Sequence, residues 1–224
     1  MSAAARAHLE SLLRVRKLDV TLTSATPWPD RSRDVAPTGL ATLDAALGGG
    51  LARGELSEIV GPRSSGRATL MCRMLAAAAE RGEAVAVIDA ADRFDPVSAS
   101  EAGVDLSKLL WVRDTGDAPR ALKALHLVLQ AGGFGLVAFD VADLPGRALR
   151  QFPYTTWMRI ARAIEGGQTT AVIVAAERLA RSPGGVTIAL DGERDVPRAQ
   201  WSGTTDRARL LRGIKLQPRV VGGR

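Results

Sequence analysis

Residues 61–69, with the sequence GPRSSGRAT, have the glycine spacing of a phosphate-binding loop. In the pattern G-x-x-x-x-G-K-[ST], the glycines let consecutive backbone N–H groups converge on a phosphate at the N-terminus of a helix. The lysine brings a compact positive charge to the phosphates, and the hydroxyl ligates Mg²⁺. Here Gly61 and Gly66 are in place, whereas Arg67 and Ala68 occupy the lysine and hydroxyl positions. The scaffold of the loop is kept, and two of its chemical groups are changed.

These two changes argue against nucleotide chemistry at the loop. A planar guanidinium is a poor replacement for a compact ammonium in a tight loop, and an alanine side chain has no oxygen with which to ligate a metal. Thr69 stands one position late, rotated by about 100° around the helix. We therefore predict that the loop shapes a strand-to-helix turn, with nucleotide binding as the alternative. The candidate cofactor-binding residues are Gly61, Ser64, Ser65, Gly66, Arg67, Thr69 and Asp140.

The elements that would position this loop are short apolar runs that alternate with helical stretches from residue 54 onward. Strands are predicted at ELSEIVG, AVAVIDA, LLWVR, GLVAFD and TAVIVAA, and helices at 66–81, at 96–103, at 118–131 and after Pro145. Because the runs are apolar at consecutive positions, they indicate an α/β fold with a mostly parallel sheet and helices on both faces. After Pro183, the polar-interleaved runs VTIALD, RAQW and ARLLRGIKLQPRV predict antiparallel strands at the C-terminal edge.

The N-terminal part of the chain differs from this core. Residues 2–17 carry an apolar stripe of Leu9, Leu12 and Leu13 among alanines and arginines, which is typical of an amphipathic helix. Prolines follow in TSATPWPDRSRDVAPTG and predict a linker. We divide the chain into a helical arm with linker at 1–35, a core at 36–193 and a basic segment at 194–224. The arm helix would either dock on a partner protein or fold back on its own core.

Composition sets further limits. The chain has 224 residues, 46% of them hydrophobic and 24% charged, which is typical of a globular domain. No apolar run approaches the ~18 residues that a membrane span needs, and Arg6 and Glu10 interrupt any secretory signal, so we expect a cytoplasmic protein. The single Cys72 is expected to be an inert core thiol. His8 and His126 are isolated, so no metal site is expected.

The net charge of +6 comes entirely from the segment 194–224, which holds eight basic and two acidic residues. Such a segment attracts nucleic acid or an acidic protein surface, although a solvated strand face has the same composition. Trp201 beside arginines is typical of an interface, and equally of a tryptophan packed on its own sheet. The candidate partner-binding residues are Leu9, Leu12, Leu13, Arg198, Trp201, Arg207, Arg209, Arg212, Lys215 and Arg219.

Two runs carry a family resemblance. PTGLATLDAALGGGLARGELSEIVGPRSSGRATL and VIDAADRFDPVSASEAGVDLSKLL are similar to the core of bacterial RecA recombinases, over about residues 36–180. By this resemblance, Ala91 stands where the family has its catalytic glutamate, and Ser98 where it has the tyrosine that stacks on adenine. Asp140 matches the Walker B aspartate but is followed by Val141, and Glu177 replaces the glutamine that senses the γ-phosphate. Without a base to activate water, the resemblance implies a pseudo-ATPase with no catalytic residues and no bound cofactor.

The loops that face DNA in the RecA family are shortened in this chain. Only DLPGRALRQFPYTTW follows the Walker B strand before the next helix continues, and only RLARSPGG joins TAVIVAA to VTIALD. The resemblance therefore implies at most weak electrostatic contact with DNA. The basic residues available for it in these loops are Arg147, Arg150, Arg159, Arg178 and Arg181.

With a RecA-like core, an altered catalytic set, short loops and an N-terminal arm, the chain resembles the ImuA family more than a recombinase. That resemblance implies a non-catalytic adaptor in SOS-induced translesion synthesis. The implied partners are RecA, an ImuB-like polymerase homologue and an error-prone polymerase complex, with no membrane contact. The alternatives are a weak or non-standard ATPase, a DNA-binding RecA paralogue that modulates recombination, and a SulA-like inhibitor of cell division.

Overall fold

The computed structural model describes residues 34–180, 184–190, 199–203, 205 and 207–222. The predicted arm helix with Leu9, Leu12 and Leu13, and also Arg198, lie outside these residues. The helices are α1 Ala41–Leu47, α2 Arg67–Glu80, α3 Pro96–Glu101, α4 Ala118–Ala131, α5 Gly146–Arg150 and α6 Tyr154–Ile164. The strands are β1 Val35–Ala36, β2 Leu51–Ala52, β3 Leu56–Val60, β4 Ala84–Asp89, β5 Leu109–Arg113, β6 Phe134–Asp140, β7 Thr170–Ala175, β8 Thr187–Ala189, β9 Ala199–Ser202, β10 Leu210–Ile214 and β11 Arg219–Val221.

The main sheet has seven strands in the order β11-β8-β3-β7-β6-β4-β5. Neighbouring strands run parallel from β8 to β5, and only β11 pairs antiparallel, with β8 at the edge. Since parallel neighbours need crossover connections, helices must lie over the faces of the sheet. The strand β3 lies inside the sheet between β8 and β7, and its carboxyl end leads directly into residues 61–66.

Both faces of the sheet are buried, as its continuous apolar strands require. Along β4, Ala86 and Ile88 join one apolar cluster, which includes the buried faces of α4 and α6. The alternate residues Val85 and Val87 join a second cluster with α1, α2 and Phe94. Successive side chains of a strand point to opposite faces, so these two clusters are the two layers of a three-layer α/β domain.

The predicted α/β class, the parallel sheet and the antiparallel C-terminal edge are confirmed. In detail, three predictions were wrong. The strand predicted at VTIALD joins the sheet in parallel, beside β3. The run ARLLRGIKLQPRV forms two strands, β10 and β11, because Pro218 has no N–H for a ladder. The single helix predicted after Pro145 is two helices, separated at Pro153.

A small unit that the sequence patterns did not predict precedes β3 in the chain. The short strands β1 and β2 pair antiparallel, and α1 lies between them in the chain. Gly48 ends α1 in a left-handed conformation with φ 71°, which a glycine adopts without strain. The pair β9 and β10 forms a separate antiparallel sheet. Among the described residues, no helix is long and apolar enough to cross a membrane.

Candidate functional site

The candidate site lies at the carboxyl edge of the parallel sheet. The loops that follow β3, β4, β6 and β7 all emerge at this edge, and they carry the altered phosphate loop, Ala91, Asp140 and Glu177. In open α/β sheets, ligands bind at the carboxyl ends of the strands. The topology therefore brings together the loops that the sequence pattern singled out.

The backbone of the phosphate loop keeps the shape that its glycines permit. Gly66 has a φ of 97° and Ser64 a φ of 60°, both in the left-handed region. A Cβ on Gly61 would come within 2.7 Å of the Ser65 hydroxyl and 3.1 Å of the Leu190 carbonyl oxygen, so a larger residue would displace the Ser65 side chain. The helix α2 then begins at Arg67 without a side-chain cap and without an acidic residue in its first turn. Its first N–H groups and its dipole favour an anion at this end.

Two polar side chains of the loop are buried, and each has an atom without a hydrogen-bond partner among the described residues. Ser65 is 3% exposed and Arg67 is 8% exposed. Within the described part of the chain, neither the Ser65 Oγ nor the Arg67 Nη1 has a hydrogen-bond partner. Ala68 and Thr69, in contrast, face solvent. The arginine thus lies within the loop, as a lysine of the standard pattern would, and buried polar groups of this kind are unfavourable unless a partner is supplied.

Asp140 ends β6 beside this loop. Burial raises the pKa of its carboxyl to about 6, although the N–H of Ala142 donates to it at 3.0 Å and the Arg67 charge favours its ionised form. The same region affects Cys72, a half-buried residue of α2. Burial, followed by the charges of Asp140 and Asp95, raises the pKa of its thiol to about 11. A thiol with so high a pKa is a poor nucleophile, in agreement with the predicted inert role.

A leucine from the C-terminal segment covers the loop. Leu216 lies between β10 and β11, and a Cβ placed on Gly66 would overlap its side chain. The same leucine packs against the apolar cluster that contains α2. The glycine at which the loop turns into the helix is therefore in contact with an apolar side chain from the same molecule.

The next loop, after β4, is organised by Asp89. This carboxylate is 1% exposed. It accepts hydrogen bonds from the N–H groups of Arg93 at 2.9 Å and Phe94 at 2.8 Å, and from the Trp111 indole at 3.3 Å. Ala91 follows and packs its methyl group against the apolar cluster that contains α4. Asp89 therefore fixes the backbone around Ala91, where the related family has a glutamate. The side chain at this position is an apolar methyl group instead of a carboxylate.

The contacts of Asp95 explain what replaces the adenine-stacking tyrosine. Asp95 caps α3 by accepting from the backbone N–H groups of Val97 and Ser98, both at 3.2 Å. The Ser98 hydroxyl donates to the same carboxylate at 2.5 Å. These hydrogen bonds lower the pKa of Asp95, the side-chain bond from Ser98 most. The serine therefore completes a helix cap and offers no ring for stacking.

A buried glutamate, which the sequence patterns did not single out, holds the loop after β7. Glu58 on β3 is 1% exposed, and its Oε1 accepts from the N–H groups of Leu179 and Ala180, both at 2.6 Å. Its Oε2 accepts from the Thr187 hydroxyl at 3.3 Å. A charged residue inside the apolar run ELSEIV was the available signal for this role. The nearby Glu177 is exposed.

The candidate partner residues of the C-terminal segment lie on its surface where they are described. Arg207, Arg209, Lys215 and Arg219 are exposed. Trp201 and Arg212 lie in the paired strands β9 and β10. The predicted arm residues Leu9, Leu12 and Leu13 are outside the described part of the chain. No group of histidine, cysteine and acidic residues suited to a metal occurs among the described residues.

A cavity of about 620 Å³ lies at the opposite, amino edge of the sheet. Two of its charged residues, Arg53 and Glu83, are paired with each other. The Arg53 Nη2 lies 2.5 Å from a Glu83 carboxylate oxygen, and the Arg53 Nη1 donates to the Gln168 carbonyl at 2.9 Å. Because the altered loop lies at the carboxyl edge, we assign this cavity no part in the candidate site.

A central parallel sheet with a phosphate-type loop after β3 defines an α/β protein of the RecA-like class. Residues 25–149 match the family of the RecA N-terminal domain, and the chain belongs to that family. The protein RecA of Methylococcus capsulatus is 44% identical over 121 residues, which is 53% of this chain and 34% of the relative. The protein RecA of Thermus thermophilus is 41% identical over 123 residues, 54% of this chain and 36% of the relative.

These matches cover only part of each relative, which limits the properties of the relatives that can be assigned to this chain. The matched part spans only about a third of the length of these curated relatives, which is 34% and 36% for the two proteins. The shared region includes the altered phosphate loop and the positions of Ala91, Ser98 and Asp140. The relationship therefore covers the RecA N-terminal domain, and the activity and partners of the whole relatives remain proposals for this chain.

Proposed function

We propose that this chain is a non-catalytic RecA-like adaptor, a pseudo-ATPase that acts through protein contacts in SOS-induced translesion synthesis. The observation that carries the proposal is the combination of a preserved loop backbone with altered chemistry. Arg67 and Ala68 replace the lysine and the hydroxyl, and Ala91 has no carboxylate to activate water. A general base alone contributes roughly 10² to 10⁴ in rate. Losing the base, the metal ligand and the adenine contact together supports a protein that does not hydrolyse ATP.

The residues present also fit Mg²⁺ and a nucleotide poorly. Leu216 lies against Gly66, and Ala68 has no oxygen with which to ligate a metal.

The proposed partners follow from the ImuA resemblance. In a RecA filament, the N-terminal helix of one subunit docks on the core of the next, so residues 1–17 could dock on a RecA protomer in the same way. The basic segment 194–224 is the proposed surface for an ImuB-like polymerase homologue within an error-prone polymerase complex. Its exposed Arg207 and Lys215 are suited to an acidic surface on that partner. A chain unable to cycle ATP could then modulate or cap a filament end.

The ATPase part of the proposal is tested by titrating the purified chain with a fluorescent ATP analogue and Mg²⁺, followed by a phosphate-release assay. We expect no saturable binding at micromolar nucleotide and no Mg²⁺-dependent turnover, while an active bacterial RecA in parallel binds and hydrolyses ATP. Arg67→Ala should leave both results and the fold unchanged. Micromolar affinity with metal-dependent turnover in the unaltered chain would remove the adaptor proposal and favour the non-standard ATPase.

A further inference from the structure

The phosphate loop contains a feature that its altered chemistry does not explain. The Ser65 Oγ and the Arg67 Nη1 are buried and have no hydrogen-bond partner among the described residues. Both belong to the loop that starts α2, a helix of 14 residues with an uncapped N-terminus. A vestigial loop could remove the cost of such groups by replacing them with apolar residues of similar shape. An oxyanion would satisfy the hydroxyl, the guanidinium and the helix N-terminus together.

The side chain that covers this loop is held in place by the sheet. Leu216 belongs to the connection between β10 and β11, and β11 pairs with β8, with Val220 opposite Ile188. The strand β8 lies directly beside β3, whose end leads into the loop. The pairing therefore anchors one end of residues 215–218 next to the loop, and Leu216 reaches Gly66 from there.

We infer that Leu216 is an internal plug that closes a retained oxyanion site at Ser65 and Arg67, so that anion binding requires residues 215–218 to move away. The inference deepens the proposed function and rests on it, because it names the regulation of the same loop in a chain that does not turn over ATP. The ligand is a small phosphate-type oxyanion. Leu216 lies in the chain between Lys215 and Arg219, two residues of the basic segment. A displacement of Leu216 would therefore couple anion binding at the loop to the position of this segment.

The plug is tested with inorganic pyrophosphate as the probe, without metal, by calorimetry on the full chain. We expect Leu216→Ala to bind pyrophosphate at least about tenfold more tightly than the unaltered chain. Leu216→Val removes less of the side chain, so its affinity for pyrophosphate should lie between those of Leu216→Ala and the unaltered chain. This variant also keeps the test usable if Leu216→Ala folds poorly. Leu210→Ala is the matched control, because Leu210 is 61% exposed and belongs to the same segment.

A second substitution identifies the groups that bind the anion. Adding Arg67→Ala to Leu216→Ala should abolish the gained pyrophosphate affinity, whereas adding Arg73→Ala, which removes an exposed arginine of the same helix, should keep it. An unaltered chain that binds pyrophosphate as tightly as Leu216→Ala would overturn the plug, as would a folded Leu216→Ala variant that binds none. Neither result alters the expectation of no ATP turnover, whereas turnover by the unaltered chain contradicts the proposed function itself.

Discussion

At the scale of single residues, the altered loop holds charges that the surrounding protein does not fully compensate. Arg67 is buried with one guanidinium nitrogen lacking a partner, and Asp140 is held beside it with a raised pKa. No ion pair joins the two among the described residues, and the Asp140 carboxylate accepts from the Ala142 N–H. A lysine and a bound metal would ordinarily fill this space in an active phosphate loop. Here the carboxylate lowers the stability of the fold once it ionises.

Asp140 therefore makes stability depend on pH in a predictable direction. Its pKa is raised from 3.8 to about 6 in the folded protein, so between these values the folded state keeps a proton that the unfolded state releases. The contribution of this carboxyl to stability is fully favourable below about pH 3.8, and it is lost as the pH rises through about 6. This shift in the pKa of Asp140 corresponds to about 3 kcal/mol in the free energy of unfolding, at 1.36 kcal/mol per pKa unit.

Asp140→Asn should remove this dependence, because an amide does not ionise. We expect the free energy of unfolding of the variant, relative to the unaltered chain, to be higher by about 2 kcal/mol at pH 7 than at pH 4, measured by urea denaturation at both values. Asp92→Asn is the control of opposite sign, because the hydrogen bond from Arg113 lowers the pKa of Asp92. A difference between Asp140→Asn and the unaltered chain that does not change with pH would contradict the raised pKa.

At the scale of elements, the conformation of the loop after β7 is fixed by hydrogen bonds to a residue of β3. Glu58 holds the backbone N–H groups of Leu179 and Ala180, immediately after the position that senses the γ-phosphate in the related family. The same carboxylate accepts from Thr187 at the start of β8, so it ties the loop and the strand together. The contacts come from the protein alone, and the conformation of residues 179–180 does not need a nucleotide.

Glu58→Ala should release this loop without unfolding the sheet. We expect the amide hydrogens of Leu179 and Ala180 to exchange about tenfold faster, as the loss of a hydrogen bond to a charged acceptor implies. Glu58→Gln keeps one side-chain oxygen as an acceptor and should have a much smaller effect. The Gly54 amide, which donates to the Thr169 carbonyl at the other edge, reports on global unfolding and should not change. Unchanged exchange at Leu179 and Ala180 in Glu58→Ala would show that the carboxylate does not hold them.

Local signals predicted the elements well. The helix at 118–131 and the strand LLWVR have the predicted bounds, because apolar periodicity and the residues Asp117 and Pro119 define them locally. The cap formed by Asp95 and Ser98 also has a local signal, an aspartate before a proline at a helix start. The parallel pairing of β8 with β3 depends instead on which strand edge is free, and no pattern within VTIALD encodes it.

The altered positions of the site were likewise visible in the sequence, whereas their surroundings were not. Arg67, Ala68 and Ala91 are identified by spacing alone. That Arg67 is buried without a full set of partners, and that Leu216 lies on Gly66, are tertiary facts about residues far apart in the chain. The spacing of a motif predicts which chemical groups are missing from a loop. Only the packed structure identifies the side chain that contacts the loop, which here is Leu216.

At the scale of the whole molecule, the C-terminal segment is both a surface and a part of the core. The strand β11 completes the sheet beside β8, and Leu216 and Val220 pack against an apolar cluster. Deleting residues 194–224 would therefore remove a sheet edge together with the basic surface. A deletion could abolish partner binding simply by destabilising the domain, so the partner proposal needs substitutions that leave β11 in place.

Arg207→Glu combined with Lys215→Glu provides that test, since both residues are exposed and outside the strands. We expect the double variant to lose at least about tenfold in affinity for an ImuB-like polymerase homologue, with a weaker dependence on salt, because reversed charges oppose an acidic partner surface. Lys123→Glu combined with Arg162→Glu changes the net charge equally on exposed helix positions and should bind normally. Unchanged binding of Arg207→Glu with Lys215→Glu would exclude this surface. Loss of retention on single-stranded DNA alone, with the protein contact intact, would make the segment a nucleic-acid contact instead.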